Sequence, residues 1–204
     1  MAIPLLIASR NPDKIAELKA ILEPHQIRIH TMLDFPDLPD TIEDQDSIYG
    51  NAMKKALEGA KATDMLCLAD DTGLFIDALD GAPGVFSARF AGEACSYSDN
   101  VRKVLLLLQD IDNRNARFET AVAVADPSGI ISVVSGCVRG HIALYEQGQN
   151  GFGYDSIFRV EGKDKSYAEM ENEEKNRISH RNLAIREILP ILLRVLRINN
   201  AKIK

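Results

Sequence analysis

The sequence predicts an α/β fold, and three observations support this prediction. Residues 3–8 form a short apolar run of strand length, and the helix-starting stretch "SRNPDK" follows it directly. Residues 65–69, "MLCLA", form a second such run, which follows a segment with apolar residues at helical spacing. Residues 117–140 form two β-rich runs on either side of the turn sequence "DPSG" at 126–129. Together they predict a single α/β domain over residues 1–204, with an inserted antiparallel hairpin.

The first predicted helix begins beside a set of polar groups. Asn11 is suited to cap this helix, and Pro12 is suited to its first helical position. The apolar residues of the segment recur at helical spacing: Ile15, Leu18, Ile21 and Leu22. Strand, tight loop and helix in this order let the backbone amides of the helix N-terminus face an anion.

The second predicted helix follows an acidic loop, "FPDLPDTIEDQD" at 35–46, which includes Glu43. Ser47 can cap this helix, and its apolar stripe consists of Ile48, Ala52, Ala56 and Ala60. The strand at 65–69 then delivers the stretch "LADDTG", residues 68–73, at its C-terminal end.

Four further elements complete the prediction. Pro83 and Gly84 suit the central positions of a type II turn, and a helix is expected over 98–109. The glycine-rich stretch "GQNGFGYDSIF" is expected to enter a short strand. A final helix is expected from His180 to Ile198, with a kink at Pro190.

Composition limits the function classes. A chain of 204 residues with 46% hydrophobic residues can bury a sizeable core. The net charge of -6 argues against binding to polymeric nucleic acid but allows binding of a single nucleotide. The three cysteines are far apart and show no C-x-x-C pairing, which indicates a reduced, cytoplasmic protein. No export signal and no apolar run long enough for a membrane span is expected.

Two stretches suggest phosphate and metal chemistry. Ser9, Asn11 and Lys14 offer a hydroxyl, an amide and an ammonium at a helix N-terminus. Asn-Pro before a helix is also routine capping, and this stretch taken alone favours that interpretation. Asp70 and Asp71 suggest Mg²⁺, which is typically held by one or two carboxylates plus substrate phosphates. Neighbouring side chains of an extended chain point to opposite faces, so a second metal ligand is expected from elsewhere. The alternative is an Asx turn beside a solvated acidic loop.

Two later stretches suggest recognition of a flat base. Phe152 or Tyr154 could stack on a base, with Asp155 free to accept hydrogen bonds, or these aromatic rings could simply belong to the core. The other stretch brings together hydrogen-bond donors from Lys175, His180 and Arg181. Such donors would bind the 6-keto oxygen of a purine and discriminate against a 6-amino purine, because buried donors facing an amino group are left unpaired. A satisfied structural histidine is the alternative for His180.

In this order, these stretches resemble the inosine triphosphate pyrophosphatase family, whose members hydrolyse non-standard purine nucleoside triphosphates to monophosphate and pyrophosphate. The resemblance covers almost the whole chain, with its longest blocks in "IASRNPDKIAELKAIL", "LADDTGLFIDALDGAPGVFSARFAG", "GFGYDSIF" and "EEKNRISHR". It implies an elongated α/β fold with a central mixed β-sheet, helices on its faces and two lobes with an active-site cleft between them. It also implies a Mg²⁺-dependent homodimer that cleaves ITP, dITP and XTP at the α–β phosphoanhydride bond.

Site residues follow from the resemblance by position. Asp71 becomes the catalytic base and a metal ligand, Glu43 a second metal ligand, and Thr72 a substrate contact. The phosphate loop becomes Ser9, Arg10, Asn11, Pro12, Asp13 and Lys14. The base-binding residues become Phe152, Gly153, Tyr154, Asp155, Lys175, His180 and Arg181.

The chain departs from the family pattern at several positions. It has Ser9-Arg10-Asn11 where Thr-Gly-Asn is frequent, and Gly50 where Glu is common. Two other functions are open to such a chain: a non-catalytic nucleotide sensor, and a phosphatase acting through a phospho-aspartate. The second fits less well, because such phosphatases typically show Asp-x-Asp rather than Asp-Asp.

Overall fold

The structure is a computed structural model that describes residues 4–25 and 27–202, with side chains described up to residue 197. Its strands are β1 (Pro4–Ile7), β2 (Arg28–Thr31), β3 (Leu66–Ile76), β4 (Pro83–Gly84), β5 (Asn115–Asp126), β6 (Gly129–Ile142) and β7 (Phe158–Val160). Its α-helices are α1 (Pro12–Leu22), α2 (Ile48–Thr63), α3 (Tyr97–Leu107), α4 (Asn172–Ile178) and α5 (His180–Lys202).

The strands form one mixed sheet in the order β2-β1-β3-β5-β6-β7, with β4 paired to β3. β1 is parallel to both β2 and β3, with Leu5 opposite Ile29 and Leu66. β4 is antiparallel to β3, and β7 is antiparallel to β6. The predicted α/β class with a mixed sheet is therefore confirmed.

The chain separates into two compact units, and β3, β5 and β6 each contribute residues to both. The first unit consists of Met1–Asp71, Thr120–Gly136 and Arg181–Lys204. In this unit α1 and α5 bury their apolar stripes against the strands. The fully buried members of this core include Leu5, Ile7, Leu18, Leu22, Leu68, Val122, Val124, Ile185, Ile188 and Leu192.

The second unit consists of Thr72–Glu119 and Cys137–His180. Its core joins α3 to the second halves of β3 and β6, to the start of β5 and to β7. An aromatic group lies at its centre, where the Phe118 ring meets the Phe158 ring edge-on at 4.7 Å between centroids. Tyr167 joins the same group, 5.4 Å from Phe158.

Several predicted elements lie where expected. Asn11 caps α1, Ser47 caps α2 and the "DPSG" turn connects β5 to β6. The residues at core spacing in the predicted last helix are buried in, or packed against, the core of the first unit: Ile185, Ile188, Leu189, Leu192 and Leu196. The first residue of the predicted strand at 3–8, Ile3, lies outside the described residues.

Three predictions of local structure need correction. The strand at 65–69 does not end at the two acids but continues to Ile76, since β3 pairs with β1 before Asp70 and with β4 after it. Pro83 does not lie at the centre of a turn, because it pairs with Phe75 in the sheet. The Phe86 amide donates a hydrogen bond to the Pro83 carbonyl, so the central residues of the turn are Gly84 and Val85. The third helix begins at Tyr97 rather than Ser98, since Ser96 and Asp99 cap it reciprocally.

No helix among the described residues is both long and apolar enough to cross a membrane.

Candidate active site

The start of α1 presents polar groups to a cavity of about 320 Å³ in the first unit. The Asn11 side chain accepts hydrogen bonds from the amides of Asp13, at 2.9 Å, and Lys14, at 3.3 Å. Ser9 Oγ accepts a hydrogen bond from the Asn11 amide at 3.2 Å. The residues that line the cavity include Ser9, Asn11, Lys14, Glu43, Lys55 and Asp70. Asn11 thus serves as the helix cap, while the hydroxyl and the ammonium remain beside an open cavity.

Arg10 lies in the same stretch, but its guanidinium is engaged by the loop that follows β2. Its Nη1 donates to the Met32 carbonyl at 2.6 Å, and its Nη2 donates to the Phe35 carbonyl at 3.1 Å and the Leu38 carbonyl at 2.5 Å. Its Nε forms an ion pair with Asp40 at 2.7 Å. Arg10 therefore braces the loop that leads to Glu43.

Asp71 lies in a buried polar cluster with two residues of α2. Its Oδ2 accepts a hydrogen bond from the Asn51 side-chain amide at 3.1 Å, and its Oδ1 pairs with Lys55 Nζ at 3.2 Å. Lys55 Nζ also pairs with Glu43 Oε1 at 2.9 Å. The carboxylates of Asp71 and Glu43 thus converge on a single ammonium. Asp71 is not among the described residues that line the cavity, but Lys55 is.

Asp70 faces a different set of partners. Its Oδ2 lies 3.3 Å from Lys14 Nζ and accepts a hydrogen bond from Arg181 Nε at 3.1 Å. Arg181 Nη1 also binds the Glu17 carboxylate of α1. The predicted separation of the two acids is thus visible in their contacts, because the extended backbone sends successive side chains to opposite faces.

The two neighbouring acids have pKa values displaced in opposite directions. Burial raises the pKa of Asp71, and Glu43 adds to this, while Lys55, Lys14 and Asn51 only partly offset it. Burial would also raise the pKa of Asp70, but Lys14, Arg181 and Lys55 outweigh it and hold that pKa well below its usual range. Asp71 is therefore the better proton acceptor of the pair, and Asp70 stays ionised.

Lys55 stays a cation despite being buried. Burial by itself lowers the pKa of a lysine, but the charges of Asp71, Glu43 and Asp70 raise the pKa of Lys55 above its ordinary value.

The glycine-rich loop of the second unit forms another polar cluster. Asp155 Oδ2 accepts a hydrogen bond from the Phe152 amide at 2.9 Å and pairs with Lys175 Nζ at 2.6 Å. The same Lys175 Nζ lies 4.8 Å from the centroid of the half-buried Phe152 ring. Gly151 has a φ of +73°, and a Cβ there would overlap Asp155 Oδ2. The loop therefore needs glycine at this position to hold Asp155 where it is.

Four other predicted residues also belong to the second unit. Tyr154 is buried and its hydroxyl donates to the Ser87 carbonyl at 2.8 Å, so its ring belongs to the core. Gly153 has a left-handed φ of +64° and lies next to the half-buried Phe152. His180 is buried and stacks on Phe118 at 4.7 Å, as the structural alternative expects. Thr72 directly follows Asp71 in β3 and is half-buried.

Three residues that the sequence interpretation did not single out join these clusters: Asn51, Lys55 and Glu17. Asn51 and Lys55 are one helical turn apart, and both are almost fully buried in α2. A polar or charged residue on the buried face of a helix is rare and would have indicated a functional site. The prediction described this face only by its apolar residues and therefore missed Asn51 and Lys55.

The acids of the first unit fit a divalent cation of the kind that binds with phosphate. No group of three or more His, Cys, Asp and Glu side chains is placed to hold a metal ion within the ranges 4–25 and 27–202. Mg²⁺ does not need such a group, because one or two carboxylates, waters and substrate phosphates complete its shell. Glu43 and Asp71 already share one cationic partner, which is the arrangement two ligands of one ion require.

Comparison with known proteins gives a consistent result. The chain is 45% identical over 192 residues to a dITP/XTP pyrophosphatase of Exiguobacterium sp., covering 92% of this chain and 98% of that protein. It is 42% identical over 193 residues to a dITP/XTP pyrophosphatase of Desulforamulus reducens, covering 94% and 96% respectively.

Solved structures agree in fold. A HAM1 protein from Coxiella burnetii superposes with a TM-score of 0.86 at 36% identity, covering 94% of this chain and 99% of that one. The Staphylococcus aureus Ham1 protein gives a TM-score of 0.83 at 37% identity, covering 93% and 97%. The sequence profile of the Ham1 family matches residues 5–191. The chain is a member of the Ham1 family.

Proposed function

We propose that the protein hydrolyses non-standard purine nucleoside triphosphates, namely ITP, dITP and XTP, to the nucleoside monophosphate and pyrophosphate. The observation that carries this proposal is the convergence of Asp71 and Glu43 on Lys55, in the same unit as the capped N-terminus of α1. The names of the relatives, dITP/XTP pyrophosphatases at 40–45% identity, support the same substrate class. We assign a cytoplasmic, homodimeric enzyme that acts on small molecules and not on polymeric nucleic acid.

The phosphates bind in the first unit. The Ser9 hydroxyl and the Lys14 ammonium are donors for phosphate oxygens, with Lys14 neutralising charge that builds on the leaving pyrophosphate. Lys55 supplies a second ammonium beside the acids, and unlike Lys14 it is buried. Pro12 fixes the first turn of α1, and Asp13 follows it within that turn. The Arg10 guanidinium contributes by bracing the loop of Glu43 rather than by binding phosphate.

The attacking water is activated at Asp71. Its Oδ atoms accept the water proton as oxygen attacks the α-phosphorus and the bond to the β-phosphate oxygen breaks, releasing pyrophosphate. Asn51 fixes the orientation of the carboxylate through its hydrogen bond to Oδ2. Held by Glu43 and Asp71, Mg²⁺ would neutralise phosphate charge and raise the acidity of a bound water.

The base binds in the second unit. The Phe152 ring offers a stacking surface, and Lys175, fixed by Asp155, offers a donor to a 6-keto oxygen. Thr72, Gly153 and Tyr154 shape this part of the site, and His180 supports it from the core. Because a 6-amino group would meet a donor rather than an acceptor, adenine nucleotides are disfavoured.

The first experiment replaces Asp71 by Asn. Asp71→Asn removes the proton acceptor while preserving shape, so kcat for pyrophosphate release from ITP should fall at least about 100-fold. Asp112→Asn, at an exposed acid, is the matched control and should keep full activity. The assays are run with Mg²⁺ and with EDTA, and wild-type turnover should require the metal.

A substrate series completes the test. Steady-state kinetics on ITP, XTP, dITP, GTP and ATP should show the lowest kcat/KM for ATP. Equal rates on ATP would contradict the assignment of the base site. Nucleotide binding without release of pyrophosphate would identify a sensor, and a trapped phospho-aspartate would identify a phosphatase.

A further inference from the structure

Arg181 occupies an unexpected position for a residue predicted to contact a base. It is 2% exposed, and its guanidinium binds the carboxylates of Asp70 and Glu17, all within the first unit. Asp70 is equally buried, and Glu17 lies on α1 three residues after Lys14. Residues three apart on a helix are neighbours on its surface. Arg181 is therefore tied to the helix and the strand that carry the phosphate-binding lysine and its counter-ion.

The same oxygen of Asp70 serves two cations. Arg181 Nε lies 3.1 Å and Lys14 Nζ lies 3.3 Å from Asp70 Oδ2. The Lys14 side chain keeps 20% of its surface exposed and lines the cavity, whereas the Arg181 side chain keeps 3%. Arg181 is thus the buried partner of Asp70, and Lys14 is the partner that can also reach a ligand.

Arg181 and Lys14 belong to one charged cluster with Asp70 and Glu17. Asp70 and Glu17 contribute two negative charges, and Arg181 and Lys14 contribute two positive charges. Without Arg181, Asp70 would lose one of its two directly paired cations and keep Lys14, while Lys55 acts on it without an ion pair at this oxygen. A buried carboxylate without its partner is costly, so Asp70 would hold the ammonium tightly and reduce its attraction for phosphate.

We propose that Arg181 is a positioning residue of the phosphate site, which shares the charge of Asp70 and thereby leaves Lys14 available to the triphosphate. This inference rests on the proposed function and refines it, because it moves Arg181 from base recognition to the phosphate side.

The test uses inorganic tripolyphosphate, a ligand without a base, whose binding is measured by calorimetry. Arg181→Gln should raise its Kd about tenfold, which corresponds to one charge-assisted hydrogen bond. The double variant Arg181→Gln/Asp70→Asn should restore the Kd to within about threefold of wild type, because the neutral amide at position 70 no longer captures Lys14. Arg186→Gln, at an exposed arginine on the same helix, should leave the Kd unchanged.

A third variant covers the case in which Arg181→Gln fails to fold. Arg181→Lys retains the positive charge but loses the planar fork, so it should keep the tripolyphosphate Kd within about threefold of wild type. Its ratio of kcat/KM on ITP to that on ATP should also stay unchanged.

Three results would overturn the inference: an unchanged Kd in Arg181→Gln, no rescue in the double variant, or loss of ITP selectivity in Arg181→Lys. Failure of the proposed function gives a different result, since wild-type protein would then bind tripolyphosphate without hydrolysing ITP.

Discussion

At the scale of single residues, burial decides which ionisable groups take part in chemistry. Asp71 and Lys55 are nearly as buried as Cys67, yet each has an opposite charge within 3.2 Å. Cys67 has no such partner among the described residues, and burial raises the pKa of its thiol to about 12. Burial with a partner creates a charged site, whereas burial alone keeps a group neutral.

This contrast predicts the reactivity of the thiols. At pH 8 Cys67 is a neutral, inaccessible thiol and should not react with Ellman's reagent in the folded protein. The exposed Cys137 should react faster, although partial burial and the charge of Glu119 raise the pKa of its thiol. All three cysteines should react in denaturant. Cys137→Ser is the control and should remove the fast phase. A fast reaction that persists in this variant and disappears in Cys67→Ser would contradict the prediction.

The same pKa has a consequence for stability. The pKa of the Cys67 thiol is higher in the folded than in the unfolded state, where it is about 8.5. The protonated thiol therefore contributes fully to folding stability at pH values below about 8.5. That contribution is lost as the pH rises from there towards about 12.

At the scale of elements, turns and loops hold the polar clusters in place. The loop of residues 148–155 bends back so that one carboxylate, Asp155, binds both the Phe152 amide and Lys175. The two glycines on either side of Phe152 have left-handed φ values, +73° at Gly151 and +64° at Gly153.

These two glycines give a matched pair of variants. Both Gly151→Ala and Gly153→Ala should cost about 1–2 kcal/mol of stability, because each puts a side chain in the left-handed region. Only Gly151→Ala also creates a steric clash, because its Cβ would overlap Asp155 Oδ2. At position 153, no atom lies within 4 Å of an added Cβ. KM for ITP should therefore rise several-fold more in Gly151→Ala. Equal KM values at equal loss of stability, measured by urea unfolding, would argue against a role for Asp155 in base binding.

At the scale of the whole molecule, the net charge supports the proposal that the protein does not bind nucleic-acid polymers. The net charge is -6, while the lysines and arginines of the proposed site are paired with acids. Binding to DNA relies on cations that neutralise phosphates along the backbone. Lys55 and Lys175 of the proposed site are instead buried, which supports the proposal that the site binds a single small anion.

A gel-shift experiment checks this conclusion. Random-sequence duplex DNA at about 50 mM salt should show no shift at micromolar protein, since non-specific binders with a basic face bind under such conditions. Tripolyphosphate should bind under the same conditions. A shift that weakens steeply with added salt would reveal a basic surface that the overall charge conceals.

The sequence by itself determined the class of fold and most elements, because caps, turn residues and apolar periodicity are local signals. Asn11, Ser47 and the "DPSG" turn act within a few residues of themselves, so their roles follow from the chain. The family resemblance also depends on the sequence alone, and the comparisons confirm it.

Only the tertiary structure decided which charges meet. The end of the strand at Asp70 was wrongly predicted because partners at both ends of β3, β1 and β4, extend it through the two acids. The pairing of Arg181 with Asp70 joins residues 111 positions apart, and that of Arg10 with Leu38 joins residues 28 apart. Such contacts depend on how the sheet brings distant segments together, and burial then fixes the partner of each charge.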